Sequence, residues 1–407
     1  MASLLQDVAI VGAGLGESIP CRIYEAKQEN SCTIVSGVSL TPNGCRVLDL
    51  VGALARVRPQ CHLTENRSFM DGEGRIIKNT NVAPEEVFGY KIHRIYRAAL
   101  MQELTAMLKE RNIPIEYGAK FEQVVEDNDN GVKFLVGGRT EQASLLVGAD
   151  GIYSTVRKHL AAQLPEYTGV ASIYGQVPTD SIPWPSDSFQ KTGTIQDKPG
   201  ALLMVPEVAD GSELLIGRQF HYPSLDRPAW EALATDSEQL RDLFCKDYDQ
   251  WQPLARSIFD QVSKTEVLHL WPFYRVPKLE RWASPTGRVI IIGDAAHAMP
   301  PSSGQGVNQA FEDAHTLVLL LKSLLPATNL NNALDFWHGL RQVRVDAILQ
   351  MAERTNIDRL PEAERLKFEQ ERAPKSHQVL RPLEHPMTWL FKPTTDNQIS
   401  AWIEANT

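Results

Sequence analysis

Arg288–Leu325 reads RVIIIGDAAHAMPPSSGQGVNQAFEDAHTLVLLLKSLL, an apolar strand that breaks at Gly293-Asp294 and resumes as a long apolar-striped helix. Val289 to Ile292 are β-branched and unbroken, the pattern of a strand buried on both faces in a parallel sheet. Asp294 is therefore expected at a strand's carboxyl end, where open α/β sheets take their ligands. Pro300 to Gly306 form a loop with two glycines, which allows close backbone approach to a ligand just before a helix begins. The free amides of a helix start favour anions. Val307, Ala310, Phe311, Ala314, Leu317, Val318 and Leu321 place one stripe of that helix on a core, and Glu312 and Asp313 fall on its polar face.

GDAAHAMPPSSGQGVNQAFEDA resembles the second flavin fingerprint of the FAD-dependent aromatic hydroxylases, the single-component flavoprotein monooxygenases similar to salicylate and para-hydroxybenzoate hydroxylase. The resemblance implies a Rossmann-like α/β FAD-binding domain with an inserted, mainly antiparallel substrate sheet and C-terminal helices. It also implies that Asp294 holds the ribityl chain and that Gly306 and Val307 face the pyrimidine end of the flavin.

At the other end of the chain, Asp7 to Val11 reads as a buried strand leading into Gly12-Ala13-Gly14-Leu15-Gly16, a glycine turn of the kind that meets a diphosphate. Gly12 and Gly14 are the cofactor candidates here. The third glycine position of the G-x-G-x-x-G pattern is Glu17, and CRIYEAK resembles the family's second strand, ending in its ribose-binding acid at Glu25. Eight residues separate Gly12 from that strand, whereas a parallel crossover with its helix takes at least about 10 to 12. Most of the first helix is missing, although nine extended residues span about 30 Å and can still join parallel strands. With it go the amides that would meet the pyrophosphate.

Three further stretches carry the resemblance. SGVSLTPNG (Ser36–Gly44) is similar to the family's loop beside the flavin, which assigns Val38 to the cofactor. Arg46 behind it reads as a solvated helix arginine before a phosphate ligand. HRIYRAAL (His93–Leu100) is similar to the Arg-x-x-Leu helix entry, and by that match Arg97 reaches the cofactor with a guanidinium able to bridge oxygens. LLVGADGIYSTVRKHL (Leu145–Leu160) carries the Asp-Gly fingerprint in Asp150 and Gly151. Ser154 and Arg157 are expected on one face of the following helix, and the resemblance implies a role toward both FAD and the nicotinamide cofactor.

Residues 161–282 change to alternating runs punctuated by Pro and Gly, which suits an antiparallel sheet. In the family such a sheet roofs the flavin and holds the aromatic substrate. Arg218 and Tyr222 share one strand face and His221 the other. His221 and Tyr222 are the candidates for removing a phenol proton, although an ordinary half-exposed strand explains them as well. Domain boundaries follow: 1–160 with 283–355 for FAD, 161–282 for substrate, and 356–407 as a C-terminal helical tail.

The chain has 407 residues and a net charge of −9, enough length for two packed domains and the wrong sign for a nucleic-acid surface. Its five scattered cysteines fit a reducing, cytoplasmic compartment, and no run reaches the roughly 18 apolar residues of a spanning helix. The expected function is an FAD-dependent monooxygenase that uses NAD(P)H and O2 to hydroxylate an aromatic or polyketide-like phenol, with secondary metabolism as its setting. The alternative is a non-catalytic or damaged relative that binds FAD poorly.

Overall fold

The computed structural model describes residues 7–12, 20–29, 31, 36–186, 189–265, 267–325, 328–371 and 385–406. Five strands form an all-parallel sheet in the order Val289–Ile291, Leu145–Gly148, Val8–Val11, Cys21–Glu25, Ile115–Tyr117. The four residues of Val8–Val11 are buried, as are the three of Val289–Ile291, which is why their sequences are continuously apolar rather than alternating. Val8 to Val11 pair with Cys21 to Tyr24 in parallel register although only residues 12 to 20 join the two strands. Gly14 lies outside the described residues. Gly12, at φ 96°, is required by its position, since a Cβ there would sit 2.3 Å from the Ala149 carbonyl oxygen.

Beyond this sheet, seven strands form a second layer in the order His269–Arg275, Glu166–Pro178, Glu213–His221, Gly200–Pro206, Gly193–Asp197, Asn66–Asp71, Ile76–Asn81. All pairings are antiparallel except that of Gly193–Asp197 with Asn66–Asp71. Two of the strands thus come from residues 66–81, well ahead of the 161–282 stretch that supplies the rest. Three helices not anticipated from the alternating pattern, Arg227–Thr235, Ser237–Phe244 and Pro253–Val262, cover one face. They pack Trp230, Phe244, Ile258 and Phe259 against Met70, Ile195, Leu202, Ile173 and Ile216. Tyr174, Gly217, Leu203, Thr194 and Phe69 stand opposite one another across the strands and take the other face, because the side-chain period is two.

That second face looks toward the FAD-type layer. The Tyr174 hydroxyl bonds Ser36, beside the Gly37–Leu40 strand. The carboxylate of Glu207, buried at the end of Gly200–Pro206, accepts the Gly37 amide at 2.7 Å and Arg94 Nε at 3.1 Å, so one acid fastens the two layers together.

The Gly306–Ser323 helix buries Phe311, Ala314, Leu317 and Leu321 as its stripe predicts. Its other face departs from expectation. Glu312 and Asp313 are not on a solvated face but fully buried, because the 29-residue helix Leu330–Asp358 lays Arg341 and Arg344 against them. On that second helix Trp337 and Ile348 are buried, while Val343 is 71% exposed. Arg46 is half-buried, and its guanidinium is taken up by an ion pair. It pairs at 2.9 Å with Asp396 of the C-terminal helix Thr395–Asn406, which also accepts from His315 and docks the chain's end onto the core.

Candidate active site

Asp294 begins a single helical turn, Asp294–His297, immediately after the strand Val289–Ile291 and Gly293. Gly293 has φ 58° and ψ −140°, a conformation that costs an L side chain dearly, so the turn depends on glycine. Ala295, Ala296 and His297 are buried around it, whereas Asp294 is exposed. Among the described residues the Asp294 carboxylate receives no hydrogen bond. It points toward the start of the Gly306–Ser323 helix, where a Cβ on Gly306 would lie 3.7 Å from Asp294 Oδ1. That 18-residue helix has no side-chain cap at Gln305, leaving its first amides available to an anion. An exposed carboxylate facing a bare helix start through a side-chain-free glycine is a cradle for a ligand with hydroxyl and carbonyl groups, and FAD fits it.

The cradle is held by charge buried behind it. Asp313 Oδ2 accepts the Gly293 amide at 2.8 Å and His297 Nε2 at 2.6 Å, while Asp313 Oδ1 accepts Arg341 Nε at 2.7 Å. Glu312 accepts Arg341 Nη1, Arg344 Nη2 at 2.8 Å and Asn43 Nδ2 at 2.6 Å. Burial pushes the Asp313 carboxyl up, but His297 and Arg341 outweigh it and hold it at about 2. Sequence reading missed this network. The available signal was the spacing of Arg341 and Arg344, three apart and therefore on one helix face, opposite an acidic pair.

The Asp-Gly fingerprint braces the same turn from the far side. Asp150 accepts the Thr155 amide at 2.7 Å and the Val156 amide at 3.2 Å, and Ser154 Oγ as well, so its carboxylate shapes its own loop. The helix expected to carry Ser154 and Arg157 on one face is only the turn Arg157–Leu160, and Ser154 precedes it. Arg157 is buried and donates to the carbonyls of Ala295 at 3.0 Å and Ala296 at 3.1 Å.

Of the remaining cofactor candidates, Glu25 ends the second strand and Val38 is buried on the strand paired with Ile92–Tyr96. Arg97 starts the helix Arg97–Glu110 with its amide on the Ser36 carbonyl, half-buried beside Tyr174. Val307 is partly buried in the first turn after Gly306. The structure separates the two catalytic candidates. His221 is exposed at the strand end and pairs with Glu364 Oε2 at 3.0 Å, while Tyr222 packs among Phe220 and Trp230 on the helix-covered side. Better placed, and not singled out from sequence, is Tyr174, which faces the cleft and stacks on His269 with ring centres 5.0 Å apart. Burial pushes its phenol up, opposed by the Ser36 hydrogen bond and the Arg97 charge.

The FAD binding domain family matches residues 6–352. The chain belongs to that family. Among curated relatives, 3-amino-4-hydroxybenzoate 2-monooxygenase of Streptomyces cremeus is 30% identical over 326 residues, covering 76% of this chain and 77% of that protein. The 6-methylsalicylate 1-monooxygenase of Aspergillus terreus is 25% identical over 386 residues, covering 84% and 80%. A crystal structure of Klebsiella pneumoniae HpxO with FAD and uric acid has the same fold, with a TM-score of 0.73 at 22% identity over 98% of this chain and 96% of that one. This family member is an FAD-dependent monooxygenase, and FAD is its cofactor.

Asp294→Ala is expected to weaken FAD binding by about 1–3 kcal/mol, the loss of a charge-assisted hydrogen bond made by an otherwise unpartnered carboxylate. Titration calorimetry on apoprotein checks it, and an unchanged affinity removes Asp294 from the cofactor contacts.

Proposed function

We propose that this monooxygenase hydroxylates an aromatic or polyketide-like phenol in a cleft between the FAD layer and the seven-stranded sheet, in secondary metabolism and in the reducing cytoplasm. The observation that carries it is the pairing of the Asp294 cradle with the roof face bearing Tyr174. Names of the relatives, a hydroxybenzoate and a methylsalicylate monooxygenase, support the substrate class. Cys45, Cys61 and Cys245 as free thiols support the compartment. We keep the division into an FAD portion, 1–160 with 283–355, a substrate portion, 161–282, and a tail, 356–407, as part of this proposal, with 66–81 lending two strands to the roof.

When bound, FAD reduced by NAD(P)H supplies the activated oxygen atom, and the protein supplies position and dryness. Asp294 and the amides from Gly306 and Val307 would hold it, with Gly12, Glu25, Val38, Arg97 and Asp150 contributing from other elements and Gly14 assigned from the sequence alone. Tyr174 orients the phenol from the roof. His221, on the cleft-facing side of its strand, is favoured over Tyr222 for taking the phenol proton, and Glu364 supports the imidazolium that results.

His221→Asn is expected to slow hydroxylation about tenfold or more while flavin reduction by NADPH continues at its former rate. Stopped-flow absorbance separates the two half-reactions, and equal loss of both counts against a proton-transfer role. The proposed reaction itself is tested by incubating the FAD-loaded protein with NADPH and a panel of phenols under 18O2. Absence of labelled product across hydroxybenzoates, salicylates and larger phenolic polyketides refutes the substrate class.

A further inference from the structure

Two acids at the tip of one roof hairpin reach into the FAD layer. The strands Gly200–Pro206 and Glu213–His221 are joined by residues 207–212, and the Glu207 amide donates to the Glu213 carbonyl at 2.9 Å, so both carboxylates leave the same end of the hairpin. They meet a small antiparallel sheet made of Gly37–Leu40, Ile92–Tyr96 and His62–Thr64. Arg94 and Tyr96 are two apart on its central strand and stand opposite Ser39 and Gly37. These four positions therefore share one face, while Val38 and Ile95 are buried on the other. Glu207 accepts from Arg94 and from the Gly37 amide, Glu213 accepts from the Tyr96 hydroxyl, and Arg94 Nη1 reaches Ser39 Oγ at 3.4 Å. The hairpin turn itself rests on the third strand, where a Cβ on Gly211 would lie 3.6 Å from the His62 ring.

Two features make this contact rigid. The Glu207 and Arg94 side chains are 0% and 12% exposed, so water hardly competes for either charge. Gly37 puts no side chain between them: a Cβ there would sit 2.5 Å from Glu207 Oε2 and 2.8 Å from Arg94 Nε, so the roof's carboxylate meets the main chain of its neighbour rather than a rotatable group. Burial pushes the Glu207 carboxyl up, against the pull of Arg94 and the Gly37 amide. A buried ion pair adds little stability over a well-packed apolar contact, and its best-attested use is to fix the register of the parts it joins. The parts joined here belong to the reaction. Ser36, next to Gly37, bonds the Tyr174 hydroxyl and accepts the Arg97 amide at 3.2 Å, and Val38 follows on the other side.

We propose that Glu207 is a positioning residue for hydroxylation: through Gly37 and Arg94 it sets the gap between the roof face and the strand Gly37–Leu40, with Glu213 and Tyr96 as a second fastening. This rests on the reading of the cleft as the phenol site, and it adds what keeps the phenol within reach of the activated oxygen. Transfer needs reacting atoms about 3–3.5 Å apart, and a displacement of about 1 Å costs about a hundredfold. With the gap held, NADPH, a proton, O2 and the phenol become NADP+, the hydroxylated phenol and water. With the gap loosened, NADPH, a proton and O2 become NADP+ and hydrogen peroxide, and the phenol is left unchanged. Hydride transfer to the flavin does not pass through the phenol, so the fault falls on the second half-reaction.

The test measures phenol hydroxylated, hydrogen peroxide released and NADPH oxidised by FAD-loaded Glu207→Gln, with 3-amino-4-hydroxybenzoate, 6-methylsalicylate and the wider phenol panel as probes. Gln keeps the size, but its amide nitrogen must face Arg94 or Gly37, donor against donor. Product per NADPH is expected to fall about tenfold or more, with peroxide making up the difference and flavin reduction within about twofold of wild type. Tyr96→Phe removes one hydroxyl, a milder change should Glu207→Gln fail to fold, and is expected to lower the ratio about threefold. Arg281→Met is the structural control, since Arg281 pairs with Asp335 and the Ser284 carbonyl at the amino end of the parallel sheet; it should lower the melting temperature and leave the ratio alone. Apart from turnover, hydrogen exchange at the Gly37 amide should quicken in Glu207→Gln. A ratio unchanged in both variants, a ratio that falls only in step with melting temperature and does so in Arg281→Met as well, or unaltered exchange at Gly37 overturns the inference. Failure of the monooxygenase reading looks different and takes this inference with it: the wild-type protein itself would hydroxylate no phenol of the panel.

Discussion

Arg341→Met is expected to lower the free energy of unfolding by about 3–5 kcal/mol, the range seen when one member of a buried ion cluster is removed and its partners stay charged. Glu312, Asp313 and Arg341 are all fully buried, and Arg341 alone satisfies oxygens on both acids as well as Gln309 Oε1. Met fills the volume but donates nothing, so two carboxylates lose hydrogen bonds in a region water does not reach. Arg341→Lys should recover little, since a single ammonium cannot span three acceptors held in fork geometry. FAD affinity should fall in parallel, because Asp313 also holds the Gly293 amide that sets the Asp294 turn. Urea unfolding measures the first effect. A loss of less than about 0.5 kcal/mol, the range of surface substitutions, would mean that the cluster is not what holds these helices together.

The same cluster sets an acid limit. Asp313 titrates at about 2 in the folded protein against an ordinary value of 3.8, so its folded pKa is depressed. Stability from this group is therefore complete above 3.8 and is lost as pH falls toward about 2. Melting temperatures across that window should fall more steeply for the wild type than for Arg341→Met, in which the attraction holding Asp313 ionised is weakened.

The second large effect concerns the chain between Gly12 and Cys21. Lengthening it by about ten to twelve residues after Gly16, beginning with Gly and reading as an amphipathic helix, is expected to tighten FAD binding about tenfold or more and to raise the melting temperature. The parallel register of Val8–Val11 with Cys21–Glu25 is already in place, so the insert has only to supply what the short connection lacks. Those are free amides at a helix start for the diphosphate and an apolar stripe over the sheet. If the unmodified chain keeps FAD through dialysis and the insertion changes neither retention nor melting temperature, a full crossover helix is dispensable here.

Much of the FAD cradle was legible because its signals are local. A β-branched run ending in Gly-Asp, then a glycine loop and an apolar stripe at helical spacing, specifies strand, turn and helix from consecutive residues. Gly293 and Gly306 stand where backbone strain and close approach require them. Alternation in residues 161–282 likewise announced a sheet, but not the three helices behind it or the two strands borrowed from 66–81, since pairing partners lie beyond any local window.

What the sequence alone determined, then, is which residues share a face: Glu312 with Asp313 off the apolar stripe, and Arg218 with Tyr222 opposite His221. Only the tertiary structure decided what each face meets. Glu312 and Asp313 looked solvated and became core because Arg341 and Arg344, about thirty residues on, pack over them, and a buried charge is stable only beside its partner. Arg46 found Asp396, 350 residues away. Periodicity repeats over a few residues and fixes orientation, whereas the fate of a charge depends on a counter-charge that only the folded chain brings near.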